Sequence, residues 1–437
     1  MQKLVLLLVV LFSGEGVIRA QDVLSFRSLD DVLAYADSHS STVKNATQQD
    51  ILAKYQTLAA QLGKWNVQGR ATLTLTDNTR LTTNFIPAEI FGGPAGTFQK
   101  VTFGQQYVSN LIVSPQIDII NPYSAAQVKL ARTNEQLTAT TNLLTKKNLY
   151  ESLAGTYYNL LSYQWQIGVT RNSLANADTL VSILQDKQKE GIVRPQDVNT
   201  ALANRLTLVN KVQQLISQQG QQISSLKILC DIDPDRSLVI TGPQQPAVFD
   251  ASLTATSDLL QRQTEWQKKR QEASLNANRK WYYPTVSLLG NLGWQQNTNN
   301  HFFDANKWLA NNYVALRFSL PLLPDVGKIA AVQYDRINIQ IAQNNWQHSV
   351  WQDTVNNRQL EQDYQTAYTS YQLMAQIERL QKDSYAKNLA IYKEGILSLT
   401  DLLVSFNAWL NSSLTTAAQV ATSEYAKSRI AISNTLK

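Results

Sequence analysis

The stretches "KEGIVRPQD", Lys189 to Asp197, and "KEGILSLTD", Lys393 to Asp401, carry the same opening four residues and an aspartate six positions after the glycine. A four-residue match alone decides little, so the pattern on either side of each stretch has to be read outward. Upstream, "PQIDIINPYSAAQV" from Pro115 lies against "PLLPDVGKIAAVQ" from Pro321. Further back, "LGKWNVQGRATLTL" lies against "ANRKWYYPTVSLLG", placing Trp65 opposite Trp281. The order is kept, and one longer loop in the first half absorbs the change in spacing. The chain therefore reads as a duplicated unit of about 200 residues, with a first repeat over 21–230, a connector over 231–250 and a second repeat over 251–437.

Each repeat reads as helix, strand, loop, strand, long helix, tight turn, helix. Leu29, Val32, Leu33, Ala36, Val43, Ile51, Leu52, Tyr55 and Leu58 fall on helical spacing, which predicts one helix from Leu29 to Gly63. Ser28 and Asp31 have the spacing of a capping box.

Four segments then alternate with period two. "RATLTLT" sets Ala71, Leu73 and Leu75 against Thr72, Thr74 and Thr76. "YVSNLIVS" sets Val108 and Ile112 against Ser109, with Leu111 and Val113 blurring the polar side. "PTVSLLGNLGW" sets Val286, Leu288, Leu292 and Trp294 against Thr285, Ser287 and Asn291, and "YVALRFSL" sets Val314, Leu316, Phe318 and Leu320 against Arg317 and Ser319. Their length and their fringe of Phe103, Tyr107, Tyr282, Tyr283, Trp294, Trp308 and Tyr313 suit tilted membrane strands with aromatic girdles, and equally an ordinary half-buried sheet. The segments joining the strands, "TTNFIPAEIFGGPAGTFQK" and "QQNTNNHFFDANKW", read as exposed loops.

No proline interrupts 123–194 or the chain beyond Asp325. A continuous helix from Pro122 to Lys187 would run roughly 100 Å at 1.5 Å per residue. Val198, Leu202, Leu206, Val209, Val212, Ile216, Ile223, Leu226 and Leu229 continue as a coiled-coil seam.

Composition narrows the functional classes. "MQKLVLLLVVLFSGEGVIRA" reads as a secretory signal peptide over 1–20, and no later run of 18 apolar residues predicts a membrane helix. Cys230 is the single cysteine, which leaves no intrachain disulfide. Lysine and arginine number 39 against 33 aspartates and glutamates, scattered along the chain, so no nucleic-acid footprint is indicated. His39, His301 and His348 lie far apart without metal-ligand or triad spacing, so neither an enzyme nor a cofactor is expected.

Four membrane strands cannot close a barrel, and open edges are not tolerated in hydrocarbon. Copies must therefore share the sheet, eight strands from two chains or twelve from three. A periplasmic coiled-coil tether or adaptor without channel activity is the alternative, which leaves the matched strands without a role.

The signal peptide, the duplicated strand pairs and long helices, the prolines near the strand-to-helix junctions and KEGI at each hairpin tip together resemble the TolC family of outer-membrane efflux proteins. The resemblance covers nearly all of the mature chain. It implies a mainly α fold with a small β part, and a homotrimer whose twelve-stranded barrel in outer-membrane lipid continues into a periplasmic α-helical barrel. It also implies an exit duct for efflux or type I secretion that works with a periplasmic adaptor protein and an inner-membrane pump.

Read on that basis, KEGI marks two helix-hairpin tips. Gly191 and Gly395 supply the left-handed conformation that ends a helix. Pro195 and Ser398 suit the start of the next one. The resemblance implies that Asp401 faces the tunnel axis at the periplasmic entrance and that Asp197 helps latch the outer hairpin. Arg194, Lys189 and Lys393 are cations positioned to offset those carboxylates. Val404 stands one turn after Asp401, where the family often has a second acid. Gly191 and Ile192 in one tip and Gly395 and Ile396 in the other, small or apolar on otherwise polar turns, are the expected adaptor contacts.

Overall fold

The computed structural model describes residues 23–243, 245–323 and 325–436; the expected signal peptide lies outside them. In chain order the elements are β1 (Leu24–Phe26), α1 (Leu29–His39), α2 (Ser41–Gly63), β2 (Gln68–Asp77), β3 (Thr82–Pro87), β4 (Phe98–Phe103), β5 (Tyr107–Ile120), α3 (Pro122–Lys189), α4 (Pro195–Cys230), β6 (Leu238–Ile240), α5 (Leu259–Lys280), β7 (Thr285–Thr298), β8 (Trp308–Ser319), α6 (Val326–Lys393) and α7 (Leu399–Thr435). The fold is mainly helical with a small strand part, as the sequence predicts. The long helices α3 and α6 both have 68 residues.

The single helix expected over Leu29–Gly63 is two. Ser28 caps α1 in the predicted box, its hydroxyl accepting from the Asp31 N–H at 3.2 Å while the Asp31 carboxylate accepts from the Ser28 N–H at 3.1 Å. The chain then turns extended at Ser40. The Ser40 hydroxyl donates to the Leu229 carbonyl at 3.1 Å, and the Asp231 carboxylate accepts the Ser41 N–H. Docking of the α4 C-terminus therefore sets the break, and helical periodicity contains no sign of it.

The chain divides into two compact units. Among the described residues, one comprises 23–46, 144–257 and 354–436, and the other 47–143 and 258–353. In the first, β1 and β6 form a two-stranded parallel sheet in which Leu24 pairs Leu238 and Phe26 pairs Ile240. A helical core there gathers Ala177, Leu208, Phe406 and Leu410 with the rings of Tyr385 and Trp409. Another joins Leu360, Tyr364 and Ala367 of α6 to Ala426 and Ile430 of α7.

The second unit holds a four-stranded antiparallel sheet in the order β2-β5-β7-β8. Its strands contain all four alternating segments. β5 runs past Pro115 to Ile120, and Pro122 opens α3. Proline is rare inside a sheet because it lacks the N–H a ladder needs. Here the β5–β7 ladder omits Ser114 and Pro115, and Gly290 leaves the space, since a Cβ there would lie 2.9 Å from the Pro115 ring. The segment expected as a loop after β2 contains the β3–β4 hairpin, with Thr82 opposite Phe103 and Pro87 opposite Phe98.

Where β5 leads into α3, Asp118 is buried and gathers donors from several elements. Its carboxylate accepts from the Ser287 hydroxyl at 2.7 Å, Asn121 at 2.9 Å, Asn66 at 3.0 Å and Gln116 at 3.3 Å. The Asp118 N–H donates to the Trp65 carbonyl at 2.8 Å, and Asn66 is held at φ 42°.

Candidate functional site

Lys-Glu-Gly-Ile closes two helices in the same way. At the first tip Ile192 N donates to Lys187 O at 2.9 Å and Gly191 N to Gln188 O at 3.0 Å; at the second Ile396 N donates to Ile391 O at 3.2 Å and Gly395 N to Tyr392 O at 3.0 Å. This six-to-one and five-to-two pairing is the Schellman motif. Its left-handed residue is Gly191 at φ 76° in one tip and Gly395 at φ 78° in the other. Nothing lies within 4 Å of a Cβ built at either position, so the constraint is the backbone angle and not crowding.

The two new helices begin differently. Pro195 is the first residue of α4 after an Arg194 cap whose side chain makes no cap bond. The Arg194 guanidinium instead reaches forward to the Asp197 carboxylate, at 3.2 Å and 3.4 Å. In α7 the cap is Ser398, which accepts from the Asp401 N–H at 3.1 Å. Asp197 and Asp401 thus occupy the same third helical position, one paired with arginine and one with serine.

The tips pack into one cluster. Val181 and Leu184 of α3, Val198 and Ala201 of α4, and Leu399 and Leu403 of α7 form its buried part, with Tyr392 of α6 half-buried against it. Asp401 points outward on the exposed side of α7. Val404, three residues on, is 64% exposed on the same helix. Ile192 and Ile396 are 67% and 76% exposed. Lys189 pairs Asp186 at 2.8 Å, while Lys393 is exposed and enters none of the described ion pairs.

Sequence reasoning missed Tyr392. Burial, and next the charge of Asp197, raise the pKa of its phenol. The signal lay in the repeat itself, because the second tip reads Tyr-Lys-Glu-Gly where the first reads Gln-Lys-Glu-Gly.

The register sorts the four-stranded sheet into two unlike faces. Paired residues point to the same side. Leu73, Leu111, Trp294 and Ala310 therefore share one face with Ala71, Val113, Leu292, Ile117, Leu288 and Leu316. Thr72, Thr74, Asn110, Ser114, Gln116, Ser287, Asn291, Asn311 and Ser319 share the other. The alternating halves read for β2, β7 and β8 match these faces. For β5 the reading is inverted: Leu111, Val113 and Ile117 lie on the apolar face, and Val108 and Ile112 lie among the polar residues. β2 and β8 are the edges of the sheet and have no outer partner strand within the described chain.

No protein-family model matches the chain, and no curated protein sequence does. Solved structures do. The outer membrane protein VceC from Vibrio cholerae superposes with a TM-score of 0.76 at 16% identity, over 93% of this chain and 95% of that one. A membrane protein from Pseudomonas aeruginosa gives 0.74 at 12% identity, with 93% of each chain covered. The Campylobacter jejuni CmeC outer membrane channel gives 0.73 at 15% identity, over 93% of this chain and 85% of that one.

The fold is that of these outer-membrane proteins. It is the protomer fold that the TolC-family resemblance implies. At such identities the likeness is one of backbone architecture. Among the described residues no helix is long and apolar enough to cross a membrane, which says nothing about the strands of an outer-membrane channel fold. No cluster of three or more metal-ligating side chains occurs among the described residues.

Proposed function

We propose that the chain is one protomer of an outer-membrane exit duct for efflux. Three copies close β2-β5-β7-β8 into a twelve-stranded barrel in the outer membrane, and their long helices form a periplasmic tunnel. The observation that carries this reading is the two-faced sheet with both edges unpaired. An apolar face suits lipid and a polar face suits a water-filled lumen, while every backbone group in hydrocarbon must find a partner. Pairing β2 of one copy with β8 of the next satisfies both edges. The organisation into repeats over 21–230 and 251–437, joined by 231–250, fits this scheme. Both contain a helix, two long strands and a long helix closed by the same turn.

In this reading the tips are the periplasmic entrance. The exposed Asp401 carboxylates, one from each copy, line the constriction. Asp197 and its partner Arg194 in the first tip, with Lys393 in the second, latch the hairpins. Gly191, Ile192, Gly395 and Ile396 meet a periplasmic adaptor that links the duct to an inner-membrane pump.

Two measurements test the proposal. Purified protein in a planar bilayer should give discrete current steps and should migrate as a trimer in detergent; folded monomers without steps would refute the duct. Ile192→Asp combined with Ile396→Asp should abolish export in cells while trimers persist. Undiminished export would refute the docking surface alone.

A further inference from the structure

The four strands contain four charged residues, Arg70, Asp77, Asp118 and Arg317. Asp77 pairs with Tyr107 and so belongs to the apolar side, at the strand end. Arg70 pairs with Ser114 and Arg317 with Ser287, which places both arginines on the polar face. Both are exposed, and neither enters a described ion pair. The only carboxylate on that face is Asp118, buried and occupied by its four donors.

Position sharpens this imbalance. Arg70 is the third residue of β2 and Arg317 the third from the end of β8, so both lie at the end of the sheet where the strands meet the helices. They also lie on opposite edges. The surrounding unit has the same sign, with seventeen lysines and arginines against twelve aspartates and glutamates over 47–143 and 258–353. The described residues of the other unit are balanced, at 19 against 19.

We propose that this end of the polar face is an anion-binding band, built from Arg70 of one copy and Arg317 of the next, that takes small multivalent oxyanions. The inference rests on the three-copy reading, because edge pairing is what gathers the two arginines at each seam. Six guanidiniums then face one aqueous space with no free carboxylate among them on the strands. Arginine stays charged and presents forked donors that match phosphate-like oxygens. An anion at each seam relieves repulsion between like charges, and the effect is strongest at low salt. The screening length is about 30 Å at 0.01 M and about 3 Å at 1 M.

The test uses inorganic tripolyphosphate on the full-length protein in planar bilayers. Natural protein is compared with Arg70→Gln/Arg317→Gln and with the charge-keeping pair Arg70→Lys/Arg317→Lys, each first shown to be a heat-resistant trimer. If the Gln pair does not assemble, Arg70→Gln alone replaces it. Tripolyphosphate added from the barrel side should reduce the current of natural protein at low salt, with little effect at 1 M. The Gln pair should need about tenfold more for the same block, with the Lys pair between the two. Current steps with equal tripolyphosphate sensitivity in all variants would overturn the band and leave the duct standing. Absence of steps from folded natural protein would overturn both.

Discussion

The Ser398 hydroxyl donates to the Asp401 carboxylate at 2.6 Å while accepting the Asp401 N–H at 3.1 Å. The residue proposed for the entrance is thus tied into the start of its own helix. Removing a serine cap costs about 0.5–2 kcal/mol. Ser398→Ala should speed amide exchange over 398–403 without changing exchange at the distant Leu360–Tyr364 core. Exchange mass spectrometry checks this, and identical protection at the tip would show that the cap is dispensable.

Gly191 and Gly395 should respond alike to substitution, because both are held left-handed in open space. Alanine at either position should destabilise its tip by about 1–2 kcal/mol, the cost of that conformation for a residue with a Cβ. Asn, which tolerates it better, should recover part of the loss. Proteolysis within the turns gives the comparison.

Asp118 is a stronger case, since its loss strands several donors at once. Leaving a buried polar group without a partner costs about 1–3 kcal/mol, and more when a charge is involved. Asp118→Ala should lower the melting temperature of the detergent-purified protein by more than Ser287→Ala does, because the latter removes one bond of four.

Cys230 is the last residue of α4 and is buried, which raises its thiol to about 12. The thiolate is the reactive form. Folded protein at pH 8 should resist iodoacetamide for hours, and denatured protein should label at once.

Tyr392 gives a prediction at high pH. Its phenol titrates above the usual tyrosine range because burial disfavours the phenolate and the Asp197 charge adds to that. A folded pKa above the unfolded one means that the stabilisation is complete below about pH 10 and is lost as pH rises through the folded value. Tips of natural protein should therefore loosen at alkaline pH, and Tyr392→Phe should remove that component. Asp197→Asn should shift the Tyr392 absorbance change to lower pH.

The parts of this fold carried by local chemistry were legible in the sequence. Glycine after a long periodic run marked both tips, Ser28 and Asp31 marked a cap, and alternation marked the strands. What escaped was decided by distant partners. The helix breaks at Ser40 because Leu229 binds Ser40 and Asp231 binds Ser41. Val108 and Ile112 look like an apolar face until pairing with Thr76 and Thr72 puts them on the polar one. β1 and β6, three residues each, are too short to leave a pattern. At the site, Asp197 and Asp401 were visible from their spacing, whereas the proximity of Tyr392 to Asp197 needs two hairpins to meet.

The β1–β6 pairing also sets an order of events during synthesis. Phe26 cannot find its partner until Ile240 has been made, 214 residues later. At about 5–20 residues per second the beginning of the chain waits on the order of 10–40 s. Throughout that interval β1 has an open edge. Residues made near the start of the chain therefore gain their strand partner only after more than half of it has been translated.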